Sequence, residues 1–202
     1  MKRIATRVVL ARALNFLGNL LILVSLTLLF FTFGPAFKEE VKYQTTNILD
    51  INRSLDPPNT DFSIVIPKIS AAALVLVDTD PYEPSKYLPI LKKGVAHAEG
   101  TSYPGQSGNT YLFAHSTDSF YNVGKYNAVF YLLGKLNKDD EIFVYYKGEK
   151  IKYLVDSVKV VEPEDIKYLG TISDGNTLTL QTCYPPGTTL KRLIVVANQV
   201  YN

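Results

Sequence analysis

The sequence of 202 residues is poor in three kinds of side chain that carry chemistry: it contains one cysteine, two histidines and no tryptophan. A single cysteine excludes an intramolecular disulfide, although it does not identify the compartment in which the protein works. Thiol chemistry is limited to Cys183, and imidazole acid–base chemistry to His97 and His115. Any catalytic role for these residue types therefore falls on three positions.

The sequence also lacks a general excess of one charge. The net charge is +2, but the first twelve residues contain four basic side chains and no acid, and the rest of the chain has slightly more acids than bases. The basic balance therefore does not indicate a nucleic-acid-binding face. With 47% hydrophobic and 20% charged residues, the composition is typical of a globular protein.

Charge is absent from a long run between Ala13 and Phe37. Its 25 residues exceed the roughly 20 that a helix needs to cross a bilayer core. A cleaved signal peptide is the alternative, but its apolar region usually has only about 7–15 residues and ends in small side chains, whereas phenylalanines crowd this end. We predict a retained transmembrane helix at residues 13–37. The basic residues 1–12 should then stay in the cytoplasm, with the C-terminal part outside the cell.

Beyond the anchor, the pattern changes to short β-type runs. Residues 38–61 are polar and end in Pro57-Pro58, so we interpret them as a juxtamembrane linker. Seven or eight strands predict an all-β domain over residues 62–202, either a closed barrel or a sandwich. Asn122 to Asn137 is the one segment expected to form a helical turn or short helix, and Asp174-Gly175 resembles a hairpin turn. The runs are FSIVIP, AALVLV, NTYLFAH, EIFVYY, IKYLVDSVKVV, TLTLQTC and RLIVVANQV.

Cys183 is a candidate nucleophile. In the run LTLQTC, alternation places Thr179, Gln181 and Cys183 on one face of the strand. Because the other two side chains are polar, the face is a poor place for a thiol that only fills space as a small apolar group. A free thiol has a pKa near 8.5 and needs a nearby cation or imidazolium to react well. Arg192 lies nine residues further on, and a hairpin of that length would return it close to Cys183. Its guanidinium could then act on a developing oxyanion or hold a peptide carbonyl. The alternative is that Arg192 is an ordinary solvated charge. Spacing alone does not choose between the histidines.

Three segments, in this order, resemble the motifs of sortases. IVIPKISAAALV is similar to the family's opening strand, and GVAHAEGTSYPGQSGNTYLFAH to the segment that leads into the catalytic histidine. TLQTCYPPGTTLKRLIVVA is similar to the TLxTC strand and the arginine-bearing last strand. The resemblance implies a closed β-barrel of about eight strands with one or two short helices. The single anchor, without a recognisable lid motif, favours a housekeeping or class D- or E-like sortase.

The resemblance also implies roles for individual residues in a membrane-anchored cysteine transpeptidase. Cys183 would attack a carbonyl in an LPxTG-like sorting signal and form a thioacyl intermediate, with His115 as general acid and base. Arg192 would bind the substrate and stabilise the oxyanion, and Thr182 would help line the substrate groove. His97 becomes a structural residue. One departure is Ala114, where the residue before the catalytic histidine is often glycine.

The same resemblance implies partners at the cell surface. The substrates would be surface proteins with a C-terminal sorting signal, and the acceptor an amine of a cell-wall precursor or of another protein. We expect no nucleic acid, no cofactor and no metal site, since surface solvation explains the loop acids equally well. Two alternatives stay open: a cysteine peptidase that hydrolyses the acyl-enzyme, and a non-enzymatic anchored barrel that presents a binding surface.

Overall fold

The computed structural model describes residues 12, 14–30, 41, 55–116, 129–170 and 175–201. The chain divides into two compact units, Met1–Val41 and Lys42–Asn202. In the first unit, residues 14–30 belong to a helix, α1, with almost all side chains exposed. No helix within the described part of the chain is both long and apolar enough to span a bilayer. The predicted anchor and linker fall partly outside the described residues, and both stay predictions.

The second unit contains eight strands that close into a barrel, in the order β1-β2-β3-β4-β7-β8-β6-β5. β5 also pairs with β1, which completes the closure. The pairs β2–β3 and β4–β7 are parallel and the others antiparallel. The closed barrel is confirmed, and the sandwich alternative is wrong. The strands are β1 (Phe62–Ile66), β2 (Ala71–Thr79), β3 (Val95–Ala98), β4 (Gly108–Phe113), β5 (Glu141–Tyr146), β6 (Glu149–Val161), β7 (Asn176–Tyr184) and β8 (Lys191–Val200).

All seven predicted runs are strands, and the eighth strand, β3, was not among them. Its four residues are all buried, so it shows no alternation of polar and apolar side chains.

Lys147-Gly148 forms the tight turn between β5 and β6, with φ values of 51° and 84° that fit a type I′ turn. The predicted hairpin turn at Asp174-Gly175 falls partly outside the described residues, and the strands on either side of it, β6 and β7, are not neighbours in the barrel.

Short helices join the strands. The segment predicted to be helical, residues 122–137, contains the 3-10 helix η2 (Leu133–Lys135), and its first seven residues lie outside the described residues. The prediction that it would be the one helical segment is wrong. The α-helix α2 (Pro84–Leu91) connects β2 to β3. Its two prolines obscured it: Pro84 suits the first helical position, whereas Pro89 usually interrupts a helix. Packing of Tyr87 edge-on against Phe113, with ring centroids 5.9 Å apart, favours α2 nonetheless. The 3-10 helices are η1 (Pro67–Ile69), η2 (Leu133–Lys135) and η3 (Ile166–Leu169).

Alternation along the strands divides the apolar side chains into two clusters. The larger one fills the barrel and includes Ile64, Leu178, Leu180 and Val195. A smaller cluster lies on the outer face, where residues of β3, β4 and β8 pack beneath α2 and η3. The outer cluster holds α2 and η3 beside the ends of β4, β7 and β8, and this is where the candidate site lies.

Candidate active site

Cys183 and Arg192 lie directly opposite each other on neighbouring strands. The antiparallel ladder of β7 and β8 pairs Cys183 with Arg192 and Thr182 with Leu193. In the connecting loop, the backbone N–H and the hydroxyl of Thr188 both donate to the Pro185 carbonyl, at 3.0 and 2.8 Å. Paired side chains on one face of a sheet are about 5 Å apart at Cβ. The predicted return of Arg192 to Cys183 is confirmed.

His115 lies on the other side of Cys183, at the end of β4. The parallel ladder pairs Phe113 with Gln181, and the Ala114 N–H donates to the Gln181 carbonyl at 3.1 Å. His115 and Cys183 each lie two residues beyond that pair. His115 lies two residues past the end of β4, and it lines the same groove as Cys183. Arg192 on β8, Cys183 on β7 and His115 just beyond β4 thus form a row along one groove.

The row lies on the outer face of the barrel, at the bottom of a groove of about 280 Å³. Leu178 and Leu180 of the same strand point into the barrel, and Cys183, an odd number of residues from both, therefore points outward and is half-buried. One wall of the groove comes from α2 and the residues before it, and the other from η3 and Pro163. The groove suits an extended, largely uncharged peptide, because its walls are mostly apolar. Its wall residues include Tyr82, Tyr87, Leu88, Leu91, Ile166 and Leu169.

Thr182 borders this groove, as the resemblance implies, but its hydroxyl has a partner inside the protein. The side chain is 3% exposed, and its hydroxyl donates to the Ala114 carbonyl at 3.0 Å. Ala114 directly precedes His115, and Thr182 directly precedes Cys183. This hydrogen bond therefore joins β7 to β4 immediately before the two candidate catalytic residues. A contact between Thr182 and substrate stays a prediction.

His97 lies elsewhere, buried at 0% exposure in β3. Its Nε2 is 3.1 Å from the Thr101 hydroxyl and 3.2 Å from the Ser102 carbonyl oxygen, and its ring stacks on Tyr103 at 4.7 Å. Its Nδ1 lies 3.6 Å from an oxygen of Asp78. Burial lowers the pKa of His97, which favours the neutral imidazole. These contacts fit the structural role expected for His97.

Two residues of the site were not identified from the sequence as functional, Tyr111 and Gln181. Tyr111 is 3% exposed, and its hydroxyl donates to Gln181 Oε1 on the groove floor. Burial raises the pKa of Tyr111 well above its usual range, although the positive charge of Arg192 acts in the opposite direction. Alternation along β7 had placed Gln181 on the face of Cys183, but Tyr111 comes from a strand distant in sequence.

The guanidinium of Arg192 is held near the end of the β7–β8 loop. Its Nη1 donates to the carbonyls of Thr189 and Lys191, both at 3.1 Å. These two bonds leave further N–H groups of the guanidinium for a ligand, since the group has five donors.

In the described part of the chain, no group of three or more His, Cys, Asp or Glu side chains could hold a metal ion.

Known proteins match both this sequence and this fold. The family model described as Sortase domain matches residues 64–200. Sortase D of Bacillus subtilis (strain 168) is 28% identical over 138 residues, which cover 67% of this chain and 61% of that protein. The chain thus spans less than two-thirds of this curated relative.

Two solved structures are similar in fold. Sortase C1 of GBS Pilus Island 1 superposes with a TM-score of 0.59 at 28% identity, over 70% of this chain and 64% of that one. The lid mutant of Sortase A from Corynebacterium diphtheriae gives a TM-score of 0.58 at 31% identity, over 76% of each chain. The expected fold is therefore one that these proteins share.

Proposed function

Because the chain belongs to the sortase family, we propose that it is a cysteine transpeptidase that joins surface proteins to an amine of the cell envelope. The observation that carries this proposal is the row of Arg192, Cys183 and His115 along the groove. A nucleophile, a proton carrier and a cation placed together on a peptide-sized groove are the parts that acyl transfer needs. The substrate would carry an LPxTG-like sorting signal.

In the first half-reaction, the Cys183 thiolate attacks the scissile carbonyl carbon. A C–S bond forms, and the negative charge that develops on the carbonyl oxygen is stabilised by the Arg192 guanidinium. The C–N bond then breaks, and protonated His115 gives its proton to the leaving amine. The product is a thioester between Cys183 and the carbonyl carbon of the N-terminal part of the cleaved peptide, while the C-terminal part leaves with a free amine.

In the second half-reaction, an amine replaces the thiol. Neutral His115 takes a proton from the incoming amine as the nitrogen attacks the thioester carbon. The C–S bond breaks, and Cys183 leaves as a thiolate. Since water would compete with the amine for the same thioester, the apolar walls of the groove support transfer over hydrolysis by limiting access of water. Thr182 would border the bound substrate beside this centre.

We also propose that residues 13–37 anchor the enzyme in the cell membrane as a single pass, with the N-terminus in the cytoplasm. The exposed apolar side chains of helical residues 14–30 support a position in the membrane, and the basic charge of the first twelve residues supports the orientation. The catalytic domain, residues 62–202, would then face sorting signals outside the cell. The acceptor amine would come from a cell-wall precursor or another protein.

Peptides can test this function. Residues 55–202 would be incubated with a panel of peptides of the form Leu-Pro-Xaa-Thr-Gly, varied at the third and last positions, with and without triglycine. We expect mass spectrometry to find an acyl group on Cys183, absent from Cys183→Ala, and a triglycine-linked product. Hydrolysis alone in the presence of triglycine would support the peptidase alternative. No adduct and no cleavage with any peptide would favour a binding module.

A further inference from the structure

We propose that Gln181 is a substrate-binding residue whose side-chain amide donates a hydrogen bond to a backbone carbonyl of the bound peptide. Tyr111 is the positioning residue that holds this amide in orientation. The inference rests on the proposed function and deepens it, since it assigns a recognition contact on the floor of the same groove.

The position of Gln181 brings it within reach of a bound peptide. It precedes Cys183 by two residues on β7, on the same outward face, so the two Cα atoms are about 7 Å apart along the groove. An extended peptide advances by the same distance in two residues. Gln181 therefore faces a substrate residue about two positions from the scissile bond.

The hydrogen bond from Tyr111 decides which end of the Gln181 amide faces the groove. A glutamine side chain has one acceptor oxygen and an NH₂ group with two donors. The oxygen accepts the Tyr111 hydroxyl, and no hydrogen bond of Nε2 is found among the described residues, while Gln181 itself lines the groove. The NH₂ group of Gln181 therefore faces the groove, where its N–H donors can bind a peptide carbonyl.

Tyr111 is suited to hold this orientation. It is 3% exposed and packs in the outer apolar cluster with Phe113 and Ile194. Because burial raises the pKa of Tyr111, its hydroxyl keeps its proton and stays a donor at neutral pH. A neutral, buried donor leaves the Gln181 oxygen engaged before the substrate arrives, so little conformational freedom is lost on binding.

The apolar surroundings of Gln181 explain why a bound peptide would need its N–H donors. A peptide that enters an apolar groove loses water from its backbone carbonyls, and an unpaired carbonyl there is costly. Gln181 is a polar side chain on the floor between apolar walls, two residues along β7 from Cys183.

The first test uses variants that separate the donor from its support, assayed with the peptide of the Leu-Pro-Xaa-Thr-Gly panel that is cleaved fastest. Gln181→Met keeps the side-chain length without hydrogen-bonding groups, and Gln181→Glu keeps the acceptor for Tyr111 but removes the donors. We expect both to raise KM by about threefold to tenfold with kcat nearly unchanged, as for a lost neutral hydrogen bond. Tyr111→Phe should raise KM less, and Tyr153→Phe, which removes an equally buried hydroxyl inside the barrel, should leave KM unchanged.

The second test identifies the carbonyl. Peptides in which one amide near the scissile bond is replaced by an alkene lack a single carbonyl each. At one position the loss should reduce kcat/KM of the wild-type protein severalfold, yet have little effect on Gln181→Met, because the contact is already gone. If every replacement costs Gln181→Met as much as the wild type, or if Gln181→Met has the wild-type KM, this inference alone is wrong. A wild-type protein that cleaves no peptide would overturn the proposed function and this inference with it.

Discussion

At the scale of the residue, the two histidines, His97 and His115, differ in burial and in the side chains that they contact. His97 lies inside the barrel, where its Nε2 has two oxygen neighbours and its ring stacks on Tyr103. Tyr103 donates to both oxygens of Asp78, which raises the pKa of Tyr103 to about 12. His115 is half-buried and lines the groove with Cys183. The imidazole of His97 is thus packed inside the barrel, whereas that of His115 faces the groove.

This difference predicts opposite effects of alanine on activity. His115→Ala should reduce kcat/KM for the cleaved peptide by at least about 10²-fold, the low end for loss of a general acid–base group. His97→Ala should keep kcat/KM within a few-fold, measured at a temperature where the variant is folded. Circular dichroism of both variants provides the control for folding. The opposite ranking would show that the assignment of His115 is wrong.

The buried His97 also predicts how stability depends on pH. Its folded-state pKa is lowered by burial, so the unfolded chain binds a proton more readily than the folded one. Its contribution to the free energy of unfolding is therefore complete above the unfolded pKa of about 6.5 and is lost as the pH falls through the folded-state value. Urea titrations between pH 8 and 5 should show a shallower decline for His97→Gln than for the wild type. Equal slopes would contradict this account.

At the scale of the element, β3 depends on a close approach between backbones. The strand has four residues, and it pairs in parallel with β2 at Val75–Val95. Gly94 directly precedes it, and a Cβ at this position would lie 2.5 Å from the Leu74 carbonyl oxygen. A side chain there would push β3 away from β2, because a backbone atom cannot rotate aside.

We expect Gly94→Ala to lower the free energy of unfolding by about 1–3 kcal/mol, the usual cost of overpacking. Gly134→Ala is the matched control, since its Cβ would meet only a Leu193 methyl at 3.5 Å, and it should change stability by less than about 0.5 kcal/mol. Urea unfolding followed by far-UV circular dichroism measures both. A Gly94→Ala protein as stable as Gly134→Ala would show that β2 and β3 tolerate the wider spacing.

At the scale of the whole molecule, the proposed topology would attach the proposed catalytic domain to the outer surface of the membrane. An enzyme held at the outer surface meets its sorting signals in two dimensions, at high effective concentration. The connection would run through residues 38–61. Of these, the last few contact the barrel: Asn59 Oδ1 accepts from the Phe62 N–H at 3.2 Å, and the Thr60 carbonyl accepts from the Gly148 N–H at 2.9 Å.

Protease accessibility tests this topology. When protease is added to intact cells that produce the full chain, we expect the domain of residues 62–202 to be digested and the N-terminal peptide to stay protected. Cells permeabilised before treatment serve as the control. A domain protected in intact cells would contradict the orientation, and a mature chain that starts after Phe37 would contradict retention of the anchor.

Features that repeat between neighbouring residues were predictable from the sequence alone. Alternation along β7 placed Cys183 outward with Gln181, and the length of the β7–β8 connection returned Arg192 to Cys183. Both depend on local geometry, the two-residue period of a strand and the reach of a short loop. The motifs around these residues also indicate the family from the sequence alone, because they combine residue types in a fixed order.

Only the tertiary structure decided which elements distant in sequence meet. The parallel pairing of β4 with β7 brings the segment that carries His115 to the groove lined by Cys183, whereas the composition and spacing of the chain left both histidines open. The same pairing allows Tyr111 to reach Gln181, and packing against Phe113 stabilises α2 despite Pro89. Such contacts depend on how the closed barrel aligns strands that are not consecutive, and on burial that no local pattern records. The row of catalytic candidates is therefore a product of barrel closure as much as of its three residues.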